Sequence, residues 1–469
     1  MLTYDLELRG DKPLYEFIYY SIREDILNGK IMPFEKLPSK RALAAHLRVS
    51  VITVKNAYEQ LAAEGYITSE EKRGYFVCDL MGESVGKYRE TRAKGLDPTP
   101  DRTVGGDCKI KISQNIPDPS LFPFSVWSKI LRSVLSEKDS DLLKRVPYNG
   151  VYALRKAIAD NLYGMRGISA DPECIIIGAG TEFLYNLIIQ MLGRNRKFAL
   201  ENPGYQKLSH ICKLSGVLYT TVDIDECGMS AEILKKSGAD VIHISPSHHY
   251  PTGIVMPVSR RREILDYANS VDGYIIEDDY DGEFRFSGKP IPALKSFDIY
   301  GRVIYMNTFS QTISPSIRIS YMILPEALME KFSSEMSFYS CTVPSFEQYT
   351  LAKFIEDGYF EKYINRMRIR YKQIRESAIN TVKKFGDKRF LLMEHDAGTH
   401  FLLKLDTPMS DKKIYKKCLY KNLELAFVSD YMYKYMSKYK NCVIMSYAGE
   451  NSENFEKALK ILRECMDEY

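Results

Sequence analysis

Apolar positions near the start of the chain recur at helical spacing: Leu14, Phe17, Ile18, Ile22 and Ile26, with Asn28-Gly29 closing the run. Pro33 and Pro38 interrupt the pattern. Ser39 then stands where it can cap a helix through Leu47, and Ser50 where it can cap another through Glu64-Gly65. In that third helix Val54, Ala57, Tyr58 and Leu61 share one face, while Thr53, Asn56 and Gln60 point elsewhere. Two short β runs follow at 66–69 and 75–77, joined by Glu70-Glu71-Lys72-Arg73-Gly74. Three helices and a hairpin predict a winged helix-turn-helix, with the third helix entering the major groove and the hairpin tip reaching along the backbone.

Periodicity then fails. Gly and Pro recur among charges from Gly82 to Asp107, the composition of an extended connector. Beyond it, apolar runs at 174–177, 198–200, 217–222, 241–245, 274–277, 303–308 and 320–324 alternate with helical patterns, predicting one largely parallel, covered sheet. Gly178-Ala179-Gly180-Thr181 follows the first of these strands and opens a helix over 182–192, a place where backbone N–H groups can meet a phosphate. A long helical stretch to Lys384 and further strands at 390–393, 399–405 and 443–447 suit a smaller α+β lobe. The expected division is 1–80, a connector over 81–107, and 108–469, with the large lobe ending near about residue 325.

Composition changes this picture little. Of 469 residues, 45% are hydrophobic and 27% charged, as in a globular chain with room for more than one core. No apolar run is long enough for a membrane span, and Met1-Leu2-Thr3-Tyr4-Asp5 lacks the order of a secretory signal. Nine scattered cysteines without a Cys-x-x-Cys pair read as reduced thiols of a cytoplasmic protein with no metal site. The net charge of +4 names no partner; its distribution bears on phosphate contact, although on charge alone a solvated helix surface is the favoured reading. Lys30, Lys36, Lys40, Arg41, Arg48 and Lys55 face a single acid, Glu35, across the helical segment, which suits contact with DNA phosphates.

The segment Leu37-Pro38-Ser39-Lys40-Arg41-Ala42-Leu43-Ala44, then Val49-Ser50-x-x-Thr53-Val54, then Tyr58-Glu59-Gln60-Leu61-x-x-Glu64-Gly65-Tyr66-Ile67, resembles the DNA-binding domain of GntR-type regulators. The resemblance implies double-stranded DNA as partner, with Ser39, Lys40, Arg41, Ser50, Thr53, Lys55 and Asn56 as contacts and Lys72, Arg73 and Gly74 at the wing. Two positions depart from it. Val51 stands where the family usually has arginine, and Glu70-Glu71-Lys72-Arg73-Gly74-Tyr75 replaces a more basic, glycine-rich wing. Fewer cations predict fewer neutralised phosphates and a shallower salt dependence.

The remainder carries a second ordered set. It includes Glu201-Asn202-Pro203-Gly204-Tyr205, Pro246-Ser247-His248-x-Tyr250-Pro251-Thr252-Gly253, Glu277-Asp278-Asp279-Tyr280-Asp281 and Asn307-Thr308-Phe309-Ser310-Gln311 running on to Arg318. This set is similar to the aminotransferase-like domain of MocR-type regulators, with the fold of type I pyridoxal-phosphate (PLP) enzymes. The resemblance implies a PLP pocket. Asp278, or alternatively Asp279, would face the pyridine nitrogen; Tyr280 would bond the ring's phenolic oxygen and Tyr205 would stack on it; Gly180, Thr181, Thr308 and Arg318 would hold the phosphate; His248 would shape the wall.

One residue governs the functional reading. The family's Schiff-base lysine follows the Thr-Phe-Ser run, and here that position is Gln311. A carboxamide cannot form an imine or act as the amine base of transamination, so PLP, if bound, is held noncovalently. Substrate capture departs too: Lys207 replaces a usual arginine, and the strand around 442–448 carries none. The expectation is a DNA-binding transcriptional regulator, a homodimer, whose non-catalytic aminotransferase-like domain senses PLP, a PLP–amino acid adduct, or another amine or carboxylate. The alternatives are a working PLP-dependent aminotransferase, a laboratory lysine-to-glutamine variant of a PLP-binding regulator, and a dimerisation scaffold with an empty pocket.

Overall fold

The computed structural model describes residues 2–10, 12–71, 73–79, 110–112, 117–137, 139–284, 292–385, 388–393, 398–448 and 451–467. The chain divides into two compact units, Met1–Val104 and Gly105–Tyr469. The connector expected over 81–107 and the wing residue Lys72 lie outside the described residues.

In the first unit, α1 (Leu14–Leu27), α2 (Lys40–Leu47) and α3 (Val51–Ala63) precede a hairpin of β1 (Ile67–Glu70) and β2 (Gly74–Val77). Both caps form as the serines predict: Ser39 Oγ accepts from the Ala42 N–H and Ser50 Oγ from the Thr53 N–H, each at 3.1 Å. The helical spacing then places Ile18, Ile22, Leu43, Val54, Tyr58 and Leu61 together, all fully buried. Each such side chain contributes roughly 1.5–3 kcal/mol by leaving water. The hairpin is antiparallel, with Ile67 opposite Val77 and Glu70 opposite Gly74. Gly74 sits at φ +111°, a backbone state that only glycine enters without strain.

The second unit is built on an eight-stranded sheet. Its strands are β3 (Ile175–Gly178), β4 (Lys197–Asn202), β5 (Leu218–Asp225), β6 (Gly228–Met229), β7 (Val241–Ile244), β8 (Tyr274–Asp278), β9 (Val303–Thr308) and β10 (Ser320–Ile323). They lie in the order β3-β10-β9-β8-β7-β4-β5-β6. The central run β9-β8-β7-β4-β5 is parallel, whereas β10 is antiparallel to both neighbours and β6 to β5. Parallel strands covered on both faces need apolar residues at nearly every position, and β7 and β9 are buried throughout.

Strands β4 and β5 run beyond their apolar stretches and end in Glu201-Asn202 and Asp223-Ile224-Asp225. Their polar ends pair in the ladder too, so hydropathy alone ends them early. The stretch leading to Lys384 is three helices, Glu326–Glu335, Ser345–Glu356 and Tyr359–Phe385. Pro344 caps the second, and Gly358, at φ +74°, separates it from the third. An antiparallel four-stranded sheet completes this part, ordered Phe390–Met393, His400–Leu405, Cys442–Ser446, Ala426–Phe427. The short β6 and Ala426–Phe427 strands have too few residues to show a period.

Candidate ligand cavity and nucleic-acid face

The carboxyl ends of the parallel strands converge on a cavity of 190 Å³. This is where open α/β sheets place their ligands. Glu201 is the next-to-last residue of β4, Asp278 ends β8 and Thr308 ends β9, while His243 and Ser245 come from the end of β7. Thr181 opens the helix α4 (Thr181–Leu192), which follows β3 across Gly180. Gln311 enters from the turn after β9, and Tyr205, Tyr250, Tyr280, Tyr431 and Tyr433 supply the aromatic wall.

Two adjacent aspartates have separate fates. Asp279 is wholly buried and held by Arg166, at 2.8 Å from Nε and 3.0 Å from the second guanidinium nitrogen, and it accepts from the Tyr305 hydroxyl at 2.7 Å. Asp278 points the other way and lines the cavity. Its Oδ2 lies 3.7 Å from His243 Nε2, and its buried Oδ1 has no hydrogen-bond partner. Strand alternation produces this split, since neighbours at the end of β8 face opposite sides of the sheet.

Of the nine residues expected around a cofactor, Thr181, Tyr205, Asp278, Tyr280, Thr308 and Gln311 line the cavity, whereas Gly180, His248 and Arg318 do not. His248 stands behind Tyr280, with Nδ1 3.0 Å from its hydroxyl and 2.8 Å from Asp281 Oδ2, so it reaches the cavity only through that ring. Gly180 instead makes room for Arg318: a Cβ there would meet the guanidinium at 2.1 Å. Arg318 bonds the Ala179 carbonyl and Glu182, both at 3.1 Å. Glu182 also takes Lys207 at 3.2 Å, and the Lys207 ammonium lies 5.8 Å from the centre of the Tyr205 ring.

Sequence reasoning assigned no role to Glu182, Glu201, His243, Tyr431 or Tyr433. Glu201 is buried; its Oε2 accepts from the Ser245 N–H at 3.1 Å and its Oε1 is unpartnered. Burial pushes its carboxyl up to about 8, against the Ser245 bond and with help from Asp278. Tyr431 and Tyr433 lie far along the chain; Tyr250 donates to the Tyr431 hydroxyl at 2.8 Å, and Tyr433 to the Tyr205 carbonyl at 3.2 Å.

These residues fit a pyridoxal ring in part. Asp278 offers an unpartnered acceptor to a pyridinium N–H, and Tyr205 and Tyr280 offer aromatic and hydroxyl surface. The position of the linking amine is a carboxamide, Gln311, and the arginine of the phosphate anchor is bonded to Glu182. Lys295 is held by the Val303 carbonyl at 2.8 Å, outside the cavity wall. Among the described residues no group of three or more His, Cys, Asp or Glu converges where a metal could sit, and no helix is long and apolar enough to cross a membrane.

In the first unit, Ser39, Arg41, Ser50, Lys55 and Asn56 are exposed at or near the starts of α2 and α3, where free N–H groups favour phosphate. Ser39 and Ser50 use their oxygens as caps, which leaves the Ser39 hydroxyl hydrogen free to donate. Thr53 Oγ1 lies 2.8 Å from Ser50 Oγ. Lys40 donates to the Tyr75 hydroxyl at 3.2 Å, tying α2 to the wing. Lys55 pairs loosely with Glu59 at 3.5 Å, and Arg73 pairs with Glu70 beside Gly74, so the wing neutralises part of its own charge.

Residues 14–77 match the family of bacterial regulatory proteins, gntR family, and residues 109–462 match aminotransferase class I and II. The chain is 34% identical over 453 residues to the uncharacterized HTH-type transcriptional regulator YdeL of Bacillus subtilis, covering 97% of this chain and 96% of that one. It is 28% identical to the probable rhizopine catabolism regulatory protein MocR of Rhizobium meliloti, covering 98% and 94%. It is also 28% identical to the HTH-type pyridoxine biosynthesis transcriptional regulator PdxR of Corynebacterium glutamicum, covering 82% of each. Among solved structures, the multiple substrate aminotransferase of Thermococcus profundus superposes with a TM-score of 0.70 at 23% identity over 82% of this chain and 98% of that one, a likeness of fold. The chain therefore belongs to the MocR-type subfamily of GntR transcriptional regulators, which join a winged helix-turn-helix to an aminotransferase class I/II domain.

Proposed function

We propose that this DNA-binding transcriptional regulator reads a small effector held noncovalently in the cavity of its aminotransferase-like unit and does not transaminate. The observation that carries this reading is Gln311 in the cavity wall. With no amine there, nothing at that position can form an imine or shuttle the α-proton. The effector classes are PLP, a PLP–amino acid adduct, or another amine or carboxylate. Effector binding biases the population that retains DNA, and a homodimer would present two winged helices to a repeated or palindromic site.

The test uses the full chain and its own promoter DNA. Addition of the effector shifts retention, while borohydride reduction in the presence of PLP followed by mass spectrometry finds no pyridoxyl adduct in the cavity. An adduct on any lysine of the cleft, or turnover of an amino acid to its keto acid, would overturn the non-catalytic reading. Arg41→Ala weakens promoter retention; unchanged retention would remove Arg41 from the DNA face.

A further inference from the structure

The chemistry of the cavity wall is one-sided. Among its fifteen lining residues there is no lysine or arginine. Five are tyrosines, and two carry buried acceptor oxygens without a partner: Asp278 Oδ1 and Gln311 Oε1. Unmet acceptors of this kind cost free energy until a donor arrives, and tyrosine faces attract cations.

The two cations beside the cavity are already engaged. Glu182, in the first turn of α4, holds Arg318 at 3.1 Å and Lys207 at 3.2 Å. A phosphate arriving at the start of α4 would meet this carboxylate and would have to take Arg318 from it. Like charge at close range opposes that exchange, as does loss of the existing ion pair.

We propose that the cavity selects an unphosphorylated organic cation, a protonated amine on a compact or flat body, over a phosphate ester of the same body. The ammonium donates to the free oxygens of Asp278 and Gln311, and the body packs among the tyrosines. Glu182 acts as the selectivity element by occupying the anchor that a phosphate would need. This inference rests on the effector-sensing reading above and narrows its ligand class.

The experiment titrates the full-length protein with pyridoxamine and, separately, with pyridoxamine 5′-phosphate by calorimetry, with promoter retention measured in parallel. Pyridoxamine is expected to bind saturably and at least tenfold more tightly than its ester. Glu182→Gln, in a half-buried first turn and checked for an unchanged melting temperature, is expected to reverse the order by freeing Arg318. An ester that binds the unaltered protein as tightly as pyridoxamine or more so, a Glu182→Gln variant with the original preference, or failure of both probes to bind each overturns the inference. If the ester binds best and shifts promoter retention, effector sensing stands and cation selection falls. If pyridoxamine binds best without changing retention, cation selection stands and sensing falls.

Discussion

Arg166 grips Asp279 through two contacts, 2.8 and 3.0 Å, with both side chains almost wholly shut from water. The pair leaves Asp278 as the aspartate facing the cavity. Removing one partner of such a pair strands a buried charge, at a cost of about 3–5 kcal/mol. Arg166→Met is therefore expected to destabilise the aminotransferase-like unit by that amount. Trp127, the sole tryptophan, lies in this unit, so urea unfolding followed by its fluorescence reports on it. Adding Asp279→Asn should recover part of the loss. A single variant within about 0.5 kcal/mol of the parent would show that the pair bears little on stability.

Glu201, Glu277 and Glu283 give the unit a pH signature. Burial pushes Glu201 up to about 8 and the other two up to about 7, Asp279 adding to the shift of each of those two. These groups keep their protons in the fold at pH values where the unfolded chain has released them. Their stabilisation is complete below the ordinary glutamate range and is lost as pH rises through 7 to 8. His249, pushed down to about 3 by burial and then by His248 and His243, acts in the opposite sense, losing its contribution as pH falls from the ordinary histidine range toward 3. Thermal midpoints should therefore fall between about pH 6 and about pH 9, and Glu201→Gln should flatten that slope by on the order of 1 kcal/mol. A slope unchanged in the variant would mean that Glu201 is ionised in the fold.

Much of this architecture is legible in the chain. Ser39 and Ser50 announce their helices, and unbroken apolar runs such as Val303-Ile304-Tyr305-Met306 announce covered parallel strands. The cavity is less legible, because its walls come from distant segments: Tyr431 meets Tyr250 across 181 residues. Glu182 reads in sequence as an ordinary acid in a helix's first turn, favoured by the dipole. Only the fold shows that it reaches Arg318, 136 residues on. The family resemblance puts Asp278 ahead of Asp279, and the fold adds the physical reason, since Arg166, 113 residues earlier, holds Asp279.

Ser39 and Ser50 cap their helices and are also expected DNA contacts, and substitution separates the two roles. Each caps a helix through one hydrogen bond of 3.1 Å, so Ser39→Ala or Ser50→Ala should cost about 1 kcal/mol of stability in the DNA-binding unit. Asn keeps the cap but presents a different donor. If a serine also touches phosphate through its hydroxyl hydrogen, the asparagine variant retains stability yet binds promoter DNA more weakly. Equal retention by the serine and asparagine forms, in a gel-shift series at fixed salt, would confine that serine to capping.

Val51 and Ile52 are 45% and 69% exposed in the first turn of the helix expected to enter the groove. Phosphates dominate affinity through released counterions, and an apolar pair there releases none. GntR-type domains usually place arginine at the first of these two positions. Val51→Arg should therefore strengthen DNA binding regardless of sequence and steepen the plot of log affinity against log salt by about 0.9 for one added phosphate contact. Promoter and scrambled DNA should gain alike, because a phosphate contact carries no base information. A variant that tightens on the promoter alone would place residue 51 against a base edge. An unchanged salt slope would place it away from the DNA altogether.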